Sequence, residues 1–480
     1  MNGASVQILD QHGRPHVVAN RRKLVAKWDA ANTTGTYRDH WLSADYLAPN
    51  ASASPSVRRR IRSRARYEYL NNSYAFGMIR TLADYVIGTG PVLRMMPKPN
   101  ASKAQINRLN ELSERFNAWA WEIDLAGKLH AMRKAKAVDG EGVGLITSGR
   151  EVAGVTLDLL PIECDYIGEN NFMASVTEDT PDGVIIGRNG YPVQYKVFAQ
   201  HPEKNPFQTP NLVDAKYVFH WFTAPRLGMW RGVSELAPAL TMFAQLRRYT
   251  GAVVTAAEAA ASISGFMETN LPINPDAQMA TADNIGDATE FPVERNMFLS
   301  APYGWKMSQI KAEHPGTMHD KFIQSILREI GRSLSMPYAV AAMDASGHNY
   351  SSMRGDWQAF MAAVAVERAQ VERVGLENLL NQFIEEAKYS GLGPMNFAYD
   401  YDWDWPGFVP IDEKKSAEAR RIALESRMTT YASEFSKLGL NWRDQFAQIG
   451  TEQELMQQLG IEPSEGKATP GPVPQDDADE

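Results

Sequence analysis

Residues 233–261 read VSELAPALTMFAQLRRYTGAVVTAAEAAA and predict one long helix, about 42 Å from end to end. Leu236, Leu240, Phe243 and Leu246 form an apolar stripe along its first half. The second half consists largely of alanine. Because alanine side chains are small, neighbouring elements can approach this half of the helix closely from several sides.

A second helix is predicted between the breakers Pro315-Gly316 and Met336-Pro337, with Thr317 as its amino-terminal cap. One face is apolar and the other is polar. The apolar face carries Phe322, Ile323, Ile326, Leu327, Ile330 and Leu334, and the polar face carries Lys321, Gln324, Ser325, Arg328, Glu329 and Arg332.

The residues between the two helices, 262–316, are rich in proline and contain short strand-like pieces at 291–293, 297–299 and 305–310. The two helices and this insert therefore predict a helical hairpin with a small tip of strands and loops. Two interpretations follow. The hairpin is either an ordinary insertion in a large domain or a stalk that packs beside copies of itself in a ring, and the pattern alone does not decide between them.

Composition narrows the class of protein. The chain has 480 residues, 44% of them hydrophobic, which is enough for two or three units with their own cores. Its net charge of −8 does not suit a general DNA-binding protein, because tight phosphate binding needs a concentrated basic surface. The one cysteine, Cys164, excludes an intramolecular disulfide. We expect neither a signal peptide nor a membrane-spanning helix.

A dense basic run follows the polar first 55 residues. Two interpretations stay open: the solvated first turns of a helix, or a basic patch that contacts nucleic acid or an acidic partner. The same helix is predicted to continue to the breaker at residues 88–91. The six arginines of the run are Arg58, Arg59, Arg60, Arg62, Arg64 and Arg66.

The rest of the chain predicts an α+β fold. Helices are expected at 103–117 and near 127–138, followed by a mostly antiparallel sheet to about residue 222 with a hairpin turn at Asn189-Gly190. A long helix is expected from about 350 to 387. The alternation of acidic and aromatic residues at 399–405 favours a strand over a carboxylate pair. Residues 462–480 predict a disordered acidic tail.

No motif predicts catalysis. Residues 139–144, DGEGVG, precede a strand instead of following one, which argues against a phosphate loop. His314 and His319 are separated by the helix breaker Pro315-Gly316, which argues against a metal site. We therefore expect no cofactor, no metal and no enzyme activity.

Four stretches resemble the lambda-type bacteriophage portal proteins, or head-tail connectors. They are RARYEYLNNSYAFGMIRTLADYVIGTG at 64–90, RGVSELAPAL at 231–240, LSMPYAVAAMDASGHNYSSMRG at 334–355 and FVPIDEKKSAEARR at 408–421. They occur in the order and spacing of that family, and the resemblance extends over roughly residues 40–461.

The resemblance implies a portal-type fold with a mixed α/β wing, a helical-hairpin stem, a small α/β clip and a helical C-terminal crown. It implies an N-terminal arm at 1–55, the wing at 56–232, stem helices at 233–262 and 317–336, the clip at 263–316, a tunnel-loop region at 337–350, the wing's long helix and following strand at 351–407, the crown at 408–461 and the tail at 462–480.

The implied function is a non-catalytic ring of twelve subunits at one capsid vertex, assembled in the host cytoplasm. Double-stranded DNA would pass through its channel during packaging and genome ejection. Implied partners are the terminase large subunit, a head-completion or neck protein, and the major capsid and scaffold proteins, with no membrane. The alternatives are a minor head or capsid structural protein and a DNA-processing enzyme.

Two groups of residues are candidates for the DNA channel. One is the tunnel loop, where small residues suit movement against a substrate. The other is the cationic part of the second stem helix, whose charges either pair with acids of a neighbouring subunit or face DNA. The first group is Met343, Asp344, Ser346, Gly347, His348 and Asn349, and the second is Lys321, Arg328 and Arg332.

Overall fold

The computed structural model describes residues 41, 44, 46–169, 181–262, 266–269, 305–308, 319–347, 349–392, 395–407, 413–436, 438, 440 and 442–460. The helices are α1 (Pro49–Ser52), α2 (Pro55–Asn71), α3 (Ser73–Ile87), α4 (Lys103–Glu122), α5 (Leu125–Asp139), α6 (Leu240–Ser262), α7 (His319–Ser333), α8 (Tyr338–Ala341), α9 (Tyr350–Val371), α10 (Glu377–Ala387), α11 (Glu413–Glu425), α12 (Tyr431–Ser436) and α13 (Trp442–Gln458). The strands are β1 (Val92–Pro97), β2 (Glu141–Val152), β3 (Val155–Ile162), β4 (Val184–Ile186), β5 (Pro192–Val197), β6 (Asn211–Asp214), β7 (Val218–Phe222), β8 (Phe266–Thr269), β9 (Trp305–Ser308) and β10 (Tyr399–Asp404).

Every strand pair in the described residues is antiparallel. The central sheet has the order β3-β2-β7, a second has the order β4-β5-β6, and β1-β10 and β8-β9 form two-stranded ribbons. The hairpin turn between β4 and β5 is closed where Gly187 N donates to Tyr191 O at 2.8 Å. This mixture of helices with antiparallel sheets confirms the α+β prediction.

The predicted helix over the arginine run and beyond is two helices, so that prediction was wrong at Asn72. The Asn72 backbone is extended, and its side-chain Oδ1 accepts from Tyr74 N at 3.1 Å and Ala75 N at 3.5 Å. Asparagine competes with the helix in this way because its side chain satisfies the amide groups that open the next helix. The break places α2 and α3 as separate neighbouring elements.

The first helix of the predicted hairpin, α6, begins at Leu240, seven residues later than predicted. Residues before it are held elsewhere: Ser234 Oγ and Glu235 N both donate to Ala137 O, at 3.1 and 3.0 Å. A short 3-10 turn, Ala237–Ala239, leads into the helix. The predicted apolar stripe is confirmed, since Leu236, Phe243 and Leu246 are buried.

The second helix of the predicted hairpin, α7, has most of the predicted faces: Ile326, Leu327 and Ile330 are buried, whereas Lys321, Arg328 and Arg332 are exposed. Phe322, predicted on the apolar face, is 48% exposed. Tyr249 of α6 stacks on His319 and meets Phe322 edge-on at 4.7 Å between ring centroids. The proposed cap Thr317 and the strand-like pieces at 291–293 and 297–299 lie outside the described residues. The third piece forms β9, which pairs with β8.

The predicted long helix contains a π-helical turn, Glu372–Leu376, between α9 and α10. At this turn Gly375 lies directly against the buried ring of Phe219 in β7, where an added Cβ would meet ring carbons at 1.9 to 2.3 Å. Glycine is required here because any side chain would occupy the space of the ring. The close contact joins the long helix to the central sheet.

The acidic and aromatic residues at 399–405 form strand β10 and its end, as predicted. Arg94 of β1 donates to Asp404 at 2.9 Å and to Asp402 at 3.0 Å, and Lys98 pairs with Asp400 at 2.5 Å. Trp403 packs against Phe116 at 5.5 Å. The carboxylates therefore match the cations of the neighbouring strand.

A cluster of opposite charges joins α5 to the residues before α6 and to α9. Lys136 is fully buried, and its Nζ lies 2.9 Å from Glu235 Oε1 and 2.9 Å from Glu367. Arg133 donates to Glu235 at 3.0 Å, and both cations lie over the ring of Trp221. Burial raises the pKa of the Glu235 carboxyl, but Arg133 and Lys136 outweigh burial and lower it to about 2.

We expect Gly375→Ala to lower the free energy of unfolding by about 1–3 kcal/mol, because the methyl group overlaps the Phe219 ring. Gly355→Ala is the matched control on the same long helix, where an added Cβ meets nothing within 4 Å. It should stabilise by about 0.5–1 kcal/mol, the usual gain from glycine to alanine in a helix. Urea unfolding midpoints measure both, and equal midpoints for the two variants would contradict the close contact.

Acid should unfold the protein partly through Glu235. Its folded pKa of about 2 lies below the ordinary 4.5, so its stabilisation is complete above pH 4.5 and is lost as the pH falls toward 2. The difference corresponds to about 3 kcal/mol. Glu235→Gln should lose stability at pH 7 and show a flatter decline between pH 5 and pH 3. The control, Glu425→Gln, breaks the exposed Arg421 pair and should follow wild type. A Glu235→Gln curve parallel to wild type would contradict this account.

Candidate functional site

Arg231, nine residues before the start of α6, is fully buried against Glu141 at the start of β2. Its Nε and Nη2 donate to the two oxygens of Glu141, each at 2.8 Å. The remaining protons reach the carbonyl oxygens of Cys164 and Ile167 at 3.0 Å and of Asp182 at 2.6 Å. This arginine therefore joins the residues leading into α6 to the central sheet and to the segment before β4.

Two glycines allow the chains to approach at this pair. Gly232 N donates to Glu141 Oε1 at 2.5 Å, and a Cβ on Gly232 would lie 2.0 Å from Gly140 O. Gly140 itself has φ +94°, which favours glycine. Gly140 thus serves the contact with residues 232–234, whereas Gly142 and Gly144 lie against Met132 and Leu159, so the glycines of DGEGVG have structural roles.

The electrostatics keep this pair ionised. Burial raises the pKa of the Glu141 carboxyl, yet Arg231 and then His220 lower it well below its usual range. Burial lowers the pKa of Arg231, and Glu141 and Asp182 raise it above its ordinary value. His220 Nδ1 lies 3.3 Å from Tyr195 Oη. Removing one partner would leave the other charge buried without compensation.

Three of the six arginines in the basic run face this region. Arg58, Arg62 and Arg66 lie four residues apart on one face of α2. Arg58 pairs with Asp182, Arg62 donates to Asp165 at 2.5 Å, and Arg66 donates to Asp139 at 2.7 Å and to Asp165 at 2.8 Å. Arg62 and Arg66 together lower the pKa of Asp165 against the opposing effect of burial.

The prediction of a run of surface arginines was therefore wrong for Arg58 and Arg62, which are buried with 5% and 6% exposure. Arg66 is half-buried, whereas Arg59, Arg60 and Arg64 are exposed. Contact of these three exposed arginines with a partner stays a prediction. Sequence reasoning missed the carboxylates that meet this face. The four-residue spacing of the arginines was a usable signal, because it places them on one side of a helix.

Among the residues that the structure describes, one group of side chains has ligand atoms close enough to hold a metal ion. Single atoms of Glu163, Asp165 and His201 lie within 4.8 Å of one another. Asp165 already accepts from Arg62 and Arg66, and these guanidinium groups oppose a cation at the same carboxylate. The group belongs to the ion-pair network beneath α2.

Two of the candidate loop residues, Asp344 and Asn349, are anchors held by side-chain hydrogen bonds, and the exposed residues Ser346 and Gly347 between them form the tip. Asp344 accepts from Tyr338 Oη at 3.1 Å and from Ser346 N at 2.9 Å. Asn349 caps α9, where its Oδ1 accepts from Ser352 N at 2.8 Å. Met343, Ser346 and Gly347 are exposed, and Met343 has φ +53°. His348 lies outside the described residues. Ser346 and Gly347 therefore lie exposed between the two anchors, and Met343 lies exposed directly before the first.

The cations on the polar face of α7 have different surroundings. The Arg328 guanidinium lies over the Tyr338 ring, 5.2 Å from its centroid. Among the described residues, no ion pair joins Lys321, Arg328 or Arg332 to an acid. Pairing with a neighbouring subunit and facing DNA both stay open as predictions for these residues.

Across the part of the chain that the structure describes, no helix has the length and apolar character needed to cross a membrane.

Comparisons with known proteins identify the chain. A family model described as phage portal protein, lambda family, matches residues 41–368. No curated protein matches. The similar solved structures have low scores. One titled as the virion of a native gene transfer agent (GTA) particle has 16% identity and a TM-score of 0.41, covering 79% of this chain and 92% of that one.

Two others are similar to this chain at lower identity. The neck of the native GTA particle, computed with C12 symmetry, has 14% identity and a TM-score of 0.40, covering 80% of this chain and 94% of that one. An HK97 family phage portal protein from Corynebacterium diphtheriae has 12% identity and a TM-score of 0.30, covering 71% and 94%. The family model spans more than half of the 480 residues. The chain therefore belongs to the lambda family of phage portal proteins, non-catalytic structural components of the portal ring at a capsid vertex of the virion.

Proposed function

We propose that twelve copies of this chain form a ring whose axial hole conducts double-stranded DNA during packaging and ejection. The observation that carries the proposal is the second half of α6. Ala252, Thr255 and Ala256 are exposed there, and Val254 is 55% exposed. A thin helix with so little cover in one chain is suited to close contact with the same helix of adjacent copies.

The proposed domain map follows the elements. The wing, 56–232 with 351–407, holds the central sheet, and α6 and α7 form the stem within 233–262 and 317–336. The clip, 263–316, contains the ribbon β8-β9, and the crown, 408–461, contains α11 to α13. Pairing of β8 with β9 supports a clip carried between the two stem helices.

The negative net charge of the protein favours a channel through which DNA passes and disfavours one that binds DNA tightly. The net charge is −8, and Arg58, Arg62 and Arg66 are already paired with carboxylates. A channel that neutralised many phosphates would hold DNA firmly, because each contact releases bound counterions. Weak, spaced contacts from the loop and from α7 are consistent with a duplex that slides.

The proposed partners follow from this arrangement. The terminase large subunit would dock on the clip and drive the DNA, and a head-completion or neck protein would later occupy the same end of the ring. Major capsid and scaffold proteins would surround the wing, where Arg59, Arg60 and Arg64 offer exposed positive charge to an acidic partner.

The substitution Met343→Glu tests the channel directly. Met343 is 80% exposed at the loop, so each subunit would present a new negative charge to the duplex. A repulsion of about 1 kcal/mol per charge pair at 4 Å in water, repeated around the ring, predicts a loss of packaged DNA of about tenfold or more. The measurement is nuclease-protected DNA in assembled heads.

Met428→Glu is the matched control, since Met428 is 84% exposed but lies in the crown, outside the loop. It should package DNA as wild type does. Electron micrographs should show rings for both variants. Normal packaging by Met343→Glu rings would remove the loop from the proposed channel.

A further inference from the structure

Three side chains connect the second stem helix to the start of the loop. Arg328 of α7 places its guanidinium over the Tyr338 ring, and Tyr338 Oη donates to Asp344 Oδ2 at 3.1 Å. Asp344 N donates in turn to Ala339 O at 3.1 Å. The side chains thus form a continuous physical path from the stem to the residue at which the loop leaves α8.

The chemistry of each contact favours this arrangement. Partial burial and then the Asp344 carboxylate raise the pKa of Tyr338, so its hydroxyl keeps the proton that it donates. A cation attracts the negative face of an aromatic ring, and Arg328 is placed to do so at 5.2 Å. The tyrosine therefore contacts α7 through its ring and the loop through its hydroxyl group.

Space beside the ring permits movement. The cavity beside the ring has a volume of about 230 Å³, which is room for several water molecules. Arg328, Arg332, Ser335, Tyr338 and Phe360 line it. Because side chains in a close-packed interior shift only into existing space, this cavity allows Tyr338 to follow a displacement of the loop.

The opposite end of the loop is fixed by a different contact. Asn349 N donates to Ser352 Oγ at 3.1 Å while Asn349 Oδ1 accepts from Ser352 N at 2.8 Å, which closes a capping box at α9. The loop thus has one anchor on the long helix and one that leads through Tyr338 to the stem.

We propose that Arg328 and Tyr338 are positioning residues that couple the loop to the second stem helix, so that a displacement of the loop changes the environment of α7. Arg328 is then a structural partner of the loop and not a free channel charge, whereas Lys321 and Arg332 keep that alternative. The coupling to DNA rests on the proposed function, but the mechanical link between α7 and the loop does not.

A spin label at Gly347→Cys in assembled full-length protein measures the link. Cys164 is buried, so protein without the new cysteine serves as the labelling blank. Tyr338→Phe removes the hydroxyl but keeps the ring, and Arg328→Gln removes the cation. Each should raise the ratio of mobile to immobile label roughly fivefold, the effect expected for one lost hydrogen bond or cation–ring contact.

Two further variants separate positioning from general effects of charge. Lys321→Gln removes an exposed cation from the same helix and should leave the label unchanged, while Arg328→Lys keeps a cation and should restore much of the wild-type ratio. Unchanged mobility in both Tyr338→Phe and Arg328→Gln would overturn the inference. An equal change in Lys321→Gln would overturn it as well.

Packaging assays on the same variants distinguish this inference from the proposed function. Tyr338→Phe rings should assemble as wild type and package less DNA. If the label becomes mobile while packaging stays normal, the link between α7 and the loop stands and the contact of the loop with DNA is contradicted.

Discussion

The buried pair of Arg231 and Glu141 is the interaction on which the central sheet and the residues leading into α6 both depend. Two charges withdrawn from water are stable only when geometry and additional hydrogen bonds compensate for their lost hydration. Here both oxygens of Glu141 accept hydrogen bonds from the guanidinium group of Arg231. The guanidinium group also donates to three backbone carbonyl oxygens. The pair also requires Gly140 and Gly232, because the two backbones meet where side chains would collide.

The same short stretch, from Arg133 to Glu141, connects the other parts of the protein. Asp139 accepts a hydrogen bond from Arg66 of α2, and Ala137 O accepts one from Ser234, before α6. Lys136 forms ion pairs with both Glu235 and Glu367 of the long helix. Ion pairs and backbone contacts at one site therefore set the direction of the chain that leads into α6. In the proposed ring, neighbouring subunits contact one another along α6, so this direction bears on assembly as well as on folding.

Local patterns in the sequence predicted much of this arrangement. The apolar stripes of α6 and α7, the strand β10 and the turn between β4 and β5 each follow from periodicity or turn chemistry within a few residues. The prediction was wrong where a single residue overrides a pattern, as at Asn72, or where distant contacts hold a segment, as at Ser234 and Glu235.

The ion-pair network was beyond sequence reasoning for a related reason. Arg58 pairs with a carboxylate 124 residues away in the sequence, and Arg62 with one 103 residues away. A local sequence pattern cannot predict either contact. The candidate loop was found by resemblance, but the division into anchors and tip depends on hydrogen bonds at Asp344 and Asn349 that only the structure shows.

Native mass spectrometry of wild type beside Arg231→Met, at equal concentration, tests the central claim most directly: that this buried pair holds the stem in the geometry from which the ring assembles. Wild type should give a species near twelve times the 53.4 kDa of one chain, and the variant, with Glu141 buried and unpaired, should lose it. Wild type that stays at the mass of one chain, or a variant that assembles as wild type does, would contradict the account.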